Sequence, residues 1–237
     1  MSHADDTSPP ALGGHLAEET FRGLRWTALR TEHAAHAVTT DAAAVYRPDV
    51  GPWAAVASDE QSAWDELRTL ATTVEVERSR SAVPDGWRLL RRDEYVLMVD
   101  DGVVPVGDVA DVRLLDERHL DAIRGLAAEV GAPMFSPAAF AMGTFAGVLD
   151  GGRLVSLAGT RGSTRTTREV VAVATVPERQ GEGLATRTVD AVRASVRATG
   201  RTPWLQVLPD NVRAVRLYER LGFRVHHRTT VDRLEAR

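Results

Sequence analysis

Residues 169–186 read EVVAVATVPERQGEGLAT, and this stretch constrains the fold more than any other part of the chain. A short, valine-rich, nearly unbroken apolar run has the make-up of a buried strand. Pro177 stops it by removing a ladder donor. Gln180-Gly181-Glu182-Gly183 follows, and a helical pattern then runs from Gly183 to Ala198, with Gly200 as its stop. A buried strand, a glycine turn and a helix in direct succession call for a sheet covered by helices. The turn leaves main-chain amides without partners, and the first turn of the helix adds more at the positive end of its dipole. Gly181 and Gly183 carry no Cβ, so a ligand can approach the backbone. Such a turn either cradles a phosphate or diphosphate or is a plain strand-to-helix connection, and this segment alone leaves both open.

Two other phosphate loops are excluded. GxxxxGK(S/T) needs a lysine, and all 29 positive residues here are arginine. GxGxxG fails because Thr186 stands where its third glycine belongs.

The C-terminal half reads clearly. A strand is expected at 112–115. A helix follows at 117–130, with Leu120, Ile123, Leu126, Ala127 and Val130 on one face. Gly131-Ala132-Pro133 ends it, and Ser136-Pro137 opens a short second helix. Strands at 145–149 and 153–159 meet at Asp150-Gly151-Gly152. After the strand at 169–176 and its helix come a strand at 204–208, a helix at 211–221 and a last strand from 223. The order is β-α-α-β-β-β-α-β-α-β. Residues 101–108 read as a linker. Upstream, 1–14 reads as a disordered tail, 15–38 as a helix and 46–52 as a loop. Ser58-Asp59-Glu60 opens a helix carrying Trp64, Leu67 and Leu70, and strands follow at 74–78 and 95–99. The expected division is a tail at 1–14, a small αβ domain at 15–102 and a larger domain at 111–237.

Two signatures carry a resemblance. Gln180-x-x-Gly183-x-Ala185 matches the Gln/Arg-x-x-Gly-x-Gly/Ala pattern of GNAT-family acetyltransferases. Asn211-x-x-Ala214-x-x-Leu217-Tyr218-x-x-x-Gly222-Phe223 matches that family's second pattern, at the family's spacing. The chain resembles this family over residues 111–233. It looks closest to the FR47-like branch, which includes glycine-type N-acyltransferases, and is similar to bacterial chains of that branch with an N-terminal extension. The resemblance implies an α/β (α+β) class: a GNAT fold in the C-terminal half, with a mixed, mostly antiparallel sheet flanked by helices. The smaller αβ N-terminal domain is then a degenerate copy of that fold or a lid over the acceptor pocket.

The resemblance also implies acetyl transfer from acetyl-CoA, as co-substrate and without a metal, to a primary amine of a small molecule, by direct attack in a ternary complex. Transfer to an amino acid such as glycine, transfer to a protein N-terminus, and a non-catalytic CoA-binding module are the alternatives. Acyl-CoA is expected in a gap between strands 169–176 and 204–208, splayed by a bulge in the first. Backbone groups at Val173 and Thr175, with Ala174 between them, would pair with pantetheine and thioester, the Val173 amide serving as oxyanion donor. Arg179, Gln180, Gly181, Glu182, Gly183, Leu184, Ala185 and Thr186 would hold the diphosphate, with Arg187 a further cation. Glu169 is the candidate base, and must be partly buried to hold a proton near neutrality. Its alternative is a solvated strand-end charge. Glu178 and Glu182 are weaker candidates. Tyr218 would protonate the leaving CoA sulfur, or is a core aromatic beside Leu217 and Leu221. Asn211 caps its helix and is a CoA contact.

Absences narrow the function. With no cysteine there is no disulfide, thiolate metal site or acyl-cysteine intermediate. A net charge of −4 gives no global attraction to nucleic acid or anionic membrane. No apolar run nears the ~20 residues that span a bilayer, and the first residues lack the order of a signal peptide, so a cytoplasmic monomer or homodimer is expected. His226 and His227 alternate across a strand and should not share a site. His33 and His36 lack the partners of a zinc site. Trp26, Trp53, Trp64 and Trp87 read as core or interface anchors. Acceptor contacts are expected from the N-terminal half, from 133–140 and from 161–168, whose Arg161, Arg165 and Arg168 hint at an anionic acceptor.

Overall fold

The computed structural model describes residues 21, 23–78, 82–131 and 136–237. The expected tail, the start of the expected helix at 15–38 and residues 132–135 lie outside these. The first half contains α1 (Leu24–Arg30), β1 (Ala37–Thr39), β2 (Ala43–Tyr46), β3 (Trp53–Val56), α2 (Gln61–Leu70), β4 (Thr73–Arg78) and β5 (Trp87–Asp100). The second contains β6 (Arg113–Leu115), α3 (Leu120–Glu129), α4 (Pro137–Ala141), β7 (Phe145–Asp150), β8 (Arg153–Ser163), β9 (Thr167–Thr175), α5 (Leu184–Ala198), β10 (Thr202–Val207), α6 (Val212–Arg220) and β11 (Phe223–Ala236). From β6 onward the order is the one read from the sequence.

The local reasons are visible. The Ser136 hydroxyl accepts from the Ala139 amide at 3.0 Å, and Asn211 Oδ1 accepts from the Ala214 amide at 3.1 Å, so both helices have side-chain caps. Val189, Val192 and Val196 bury one stripe of α5 against β7–β10. β4 alternates partly and fully buried residues, as a strand with one covered face should. The first half departs from expectation. In place of one helix to residue 38, α1 ends at Arg30, a 3-10 turn spans Ala34–His36, and β1 begins at Ala37. The expected loop at Tyr46 is the end of β2, with Tyr46 buried.

Among the described residues the strands form one sheet in the order β1-β2-β3-β4-β11-β5-β10-β9-β8-β7-β6. The order repeats about its centre. Outward from β11 run β4, β3 and β2, with β3 parallel to β4; outward from β5 run β10, β9 and β8, with β9 parallel to β10. The two 14-residue strands at the centre are exchanged. β5, from the first half, pairs with β10, while β11, from the second, pairs with β4. Residues 96–99 of β5 thus have ladder partners on both edges.

A buried ionic cluster fixes the exit of β5. Asp100 accepts from Arg197 at 2.6 and 2.7 Å and from Arg193 at 3.4 Å, and Arg193 also donates to Asp190 at 2.5 Å. Both guanidiniums donate to the Val104 carbonyl, and the Gly107 amide donates to Asp190 at 3.1 Å. The stretch 101–108 is therefore tied to α5. Asp100 and Arg193 are buried, which such groups tolerate only when paired and hydrogen-bonded, as here.

Candidate functional site

β9 and β10 pair only over Thr167↔Thr202, Arg168↔Pro203 and Glu169↔Trp204. Beyond Glu169, the edge of β9 that faces β10 has no strand partner among the described residues, because β8 occupies its other edge. The divergence has a local cause. The β8–β9 register jumps from Gly159↔Val171 to Leu157↔Ala174, and Ala172 sits at φ 56°, a left-handed conformation unusual for alanine. This bulge lies where the sequence reading expected it. Residues 171–175 are only partly buried.

The open edge leads into the glycine turn. A 3-10 turn at Pro177–Arg179 precedes Gln180, and Gly181 and Gly183 adopt φ 92° and 76°. A Cβ built on either meets nothing within 4 Å, so the space over the turn is clear. Gly183 is the N-cap of α5, and the amides of Leu184, Ala185 and Thr186 form its first turn. Gln180 bridges the two arms of the gap: its amide donates to the Thr175 carbonyl at 3.3 Å and accepts from Arg213 of α6 at 2.5 Å. Arg179 is engaged elsewhere, pairing with Glu182 at 2.8 Å and Asp150 at 2.5 Å. Arg187 pairs with Asp111 at 3.0 Å.

Glu169 marks the apex of the gap. It is 3% exposed, its Oε2 has no hydrogen-bond partner, and Arg161 Nε lies 3.5 Å away. Glu169 shares a cleft with Leu24, Arg25 and Ala28 of α1, Tyr46 of β2, Glu77 of β4 and Trp204. The guanidiniums of Arg25 and Arg161 lie 3.9 and 5.1 Å from the Trp53 ring. The Tyr46 hydroxyl is 2.6 Å from His33 Nδ1. Burial pushes the Tyr46 hydroxyl up and pulls His33 down to about 4, with the Arg168 charge adding to the latter.

Tyr218 belongs to the core that includes Val170, Leu205, Val207 and Phe223, and its ring meets Phe223 edge-on at 5.9 Å. Burial raises its hydroxyl to about 12, so it stays protonated at neutral pH. Neighbours on a strand point to opposite faces, so Glu169 and the core containing Val170 and Tyr218 lie on opposite sides of β9. His226 and His227 need correction. A bulge between Val225 and His227 interrupts the alternation, and their Nδ1 atoms come within 2.9 Å of each other. Among the described residues no group of three metal-ligating side chains forms.

Comparison with known proteins decides the family. A solved acetyltransferase of the GNAT family from Novosphingobium aromaticivorans is 31% identical with a TM-score of 0.81, over 90% of this chain and 96% of that one. The chain belongs to the GNAT family. The FR47-like protein family matches residues 146–231, which span β9, the glycine turn, α5, β10 and α6. A GCN5-related N-acetyltransferase from Kribbella flavida shares the fold, with 18% identity, a TM-score of 0.62 and 91% and 95% coverage of the two chains. So does a tandem GNAT protein from the clavulanic acid biosynthesis pathway, at 15% identity, a TM-score of 0.53 and 82% and 78% coverage. No curated protein matches the chain.

In this GNAT chain the sequence-predicted residues fall on three elements. Glu169, Val173, Ala174 and Thr175 lie on β9, residues 179–186 follow it into α5, Asn211 is the N-cap of α6, and Tyr218 lies on α6 in the core with Val170. The sequence reading missed Arg25, His33 and Tyr46 around Glu169. The run Ala42-Ala43-Ala44-Val45-Tyr46, small apolar residues ending in an aromatic, was the available signal for a buried strand there.

Proposed function

We propose that this GNAT chain transfers an acyl group, acetyl in the first instance, from acyl-CoA to the primary amine of a small acceptor in a ternary complex. The observation that carries the reading is the unpaired edge of β9 running from Glu169 into a glycine turn with clear space above it. An extended pantetheine would add to that edge as a strand does, with the amides of Val173 and Thr175 as donors. The amides of Gly181, Gly183, Leu184, Ala185 and Thr186 would meet the diphosphate at the positive end of α5. Arg179 and Glu182 pair with each other, so they fit the rim of this cradle. In this reading residues 111–237 supply the acyl-CoA side and residues 15–102 the acceptor side.

Two side chains carry the protons. Glu169 takes one proton of the ammonium, the freed amine nitrogen bonds to the thioester carbon, and the C–S bond breaks. Tyr218 gives its proton to the departing sulfur, and the second nitrogen proton leaves the new amide to restore the tyrosine. The Val173 amide would stabilise the oxyanion between these steps. The burial of Glu169 and the protonated state of Tyr218 support these assignments.

The test is calorimetry with CoA, followed by CoA release from acetyl-CoA, read with a thiol reagent across a panel of primary amines. Saturable CoA binding and amine-dependent release are expected. CoA binding without release for any amine would reduce the chain to a binding module. Failure to bind CoA would remove the whole reading.

A further inference from the structure

A second recess lies beside the Glu169 cleft, where the N-terminal segment meets the starts of β9 and β10. It is lined by Glu32, His33, His36, Ser163, Arg168 and Arg201, and its cavity volume is ≈ 250 Å³. That is room for more than a single ion or water. Its charge is unbalanced: two guanidiniums face one carboxylate, Glu32, which Arg201 reaches at 3.4 Å. Arg168 donates to the Met142 carbonyl at 3.1 Å, yet its Nε is buried without a partner. Burial and the nearby charge of Arg201 both pull the Arg168 guanidinium down, the mark of like charges held together out of water. Glu32 offsets this in part, and a ligand of opposite sign would offset the rest. The recess adjoins the cleft: His33 lines one, Tyr46 lines the other, and the two are hydrogen-bonded.

We propose that this recess is an oxyanion subsite, built by Arg168 and Arg201 with Ser163 and the two imidazoles, that takes the carboxylate or phosphate end of the acceptor. The acceptor's amine then extends toward Glu169. The subsite stands on its own geometry, while its assignment to the acceptor rests on the acyl-transfer reading.

Protein saturated with CoA, which occupies the glycine turn, is titrated with inorganic phosphate and with acetate against sodium chloride of equal ionic strength. The readout is the side-chain resonances of His33 and His36. Saturable shifts are expected, weakened about tenfold or more by Arg168→Gln and by Arg201→Gln, the usual scale for a lost charged hydrogen bond. Glu32→Gln should tighten binding about threefold by removing the opposing charge. Shifts no larger than those in chloride, or arginine variants that bind as the parent does, overturn the site. If the arginine variants fail to fold, Glu32→Gln decides, and unchanged or weaker phosphate binding overturns it. Amines with and without an acidic group then separate the sources. Preference for the acidic member, with phosphate competing against it, supports an acceptor subsite. Phosphate that changes the rate of a neutral amine without competing overturns that assignment. Phosphate binding in a chain that does not bind CoA leaves the subsite standing and removes the transfer reading instead.

Discussion

Among the described residues two parallel strand pairs are each joined by a helix, β3-α2-β4 and β9-α5-β10, and of these the second combines an open strand edge with a glycine turn. Both pairs keep register briefly, over two residue pairs in the first and three in the second. The turns between strand and helix differ. Residues 57–60 read Ala-Ser-Asp-Glu, with Glu60 extended at φ −70°, and place two carboxylates where an anion would approach α2. The later turn has Gly181 and Gly183 in left-handed conformations under clear space. β9 also carries the Ala172 bulge, while β3 is four residues long and pairs with β2 in unbroken register. Repeating a topology therefore does not repeat a site. The proposed diphosphate cradle depends on turn chemistry, and the gap depends on one bulge.

The comparison breaks most severely at the exchanged strands that join the halves. Asp100→Ala leaves Arg193 and Arg197 without their shared carboxylate, and removing one partner of a buried ion pair costs about 3–5 kcal/mol. Urea denaturation should show that loss as a single transition. Two separate transitions, or a loss confined to one half, would mean that the exchange of β5 and β11 does not couple them. Next in size is Glu169→Gln, which keeps shape and burial but removes the proposed base. Turnover should fall about 10²-fold, within the range for a lost general base, with CoA affinity unchanged by calorimetry. A rate within about threefold of the parent removes Glu169 from the mechanism.

The two turns can be tested against each other directly. Gly183→Ala forces alanine to φ 76° and sets a Cβ on the clear side of the turn. CoA affinity should fall about tenfold, or roughly 1.4 kcal/mol. Glu60→Gln, at the matching position before α2, should leave the CoA Kd within about twofold, since a surface substitution outside a site is worth only tenths of a kcal/mol. Equal effects at the two positions would erase the distinction between the turns.

What could be read in advance follows the range of the interactions. The glycine turn, the caps at Ser136 and Asn211 and the order from β6 to β11 are set by residues a few positions apart, and the sequence shows them. The exchange of β5 and β11 joins residues as far apart as Thr73 and Glu235, and nothing local encodes that pairing. Arg193 and Asp190 look like solvent-facing helix residues until Asp100 and the 101–108 stretch cover them. His226 and His227 broke the alternation rule because a bulge is a property of two strands. The cleft around Glu169 was half legible. Glu169 lay on a recognisable strand, whereas Arg25 and Tyr46 reach it only through the packing of the first half.

The smallest effect tests that packing through one proton. His33 belongs to the first half, yet the charges around it come from both. Burial lowers it most, then Arg168 of β9, then His36 and Arg25, while Glu169 of β9 opposes. Its folded value of about 4 lies below the ordinary 6.5. An unfolded chain therefore takes up a proton near pH 6.5 that the folded chain refuses. His33 contributes stability above pH 6.5 that is lost as the pH falls toward 4. Between pH 6.5 and about 5.5 the loss is about 1 kcal/mol. Urea midpoints across that interval should fall in the parent and stay nearly level in His33→Gln. Parallel slopes in the two proteins would mean that His33 is not held neutral by the surfaces packed on it, and that the first half sits more loosely over β9 than the 2.6 Å contact with Tyr46 implies.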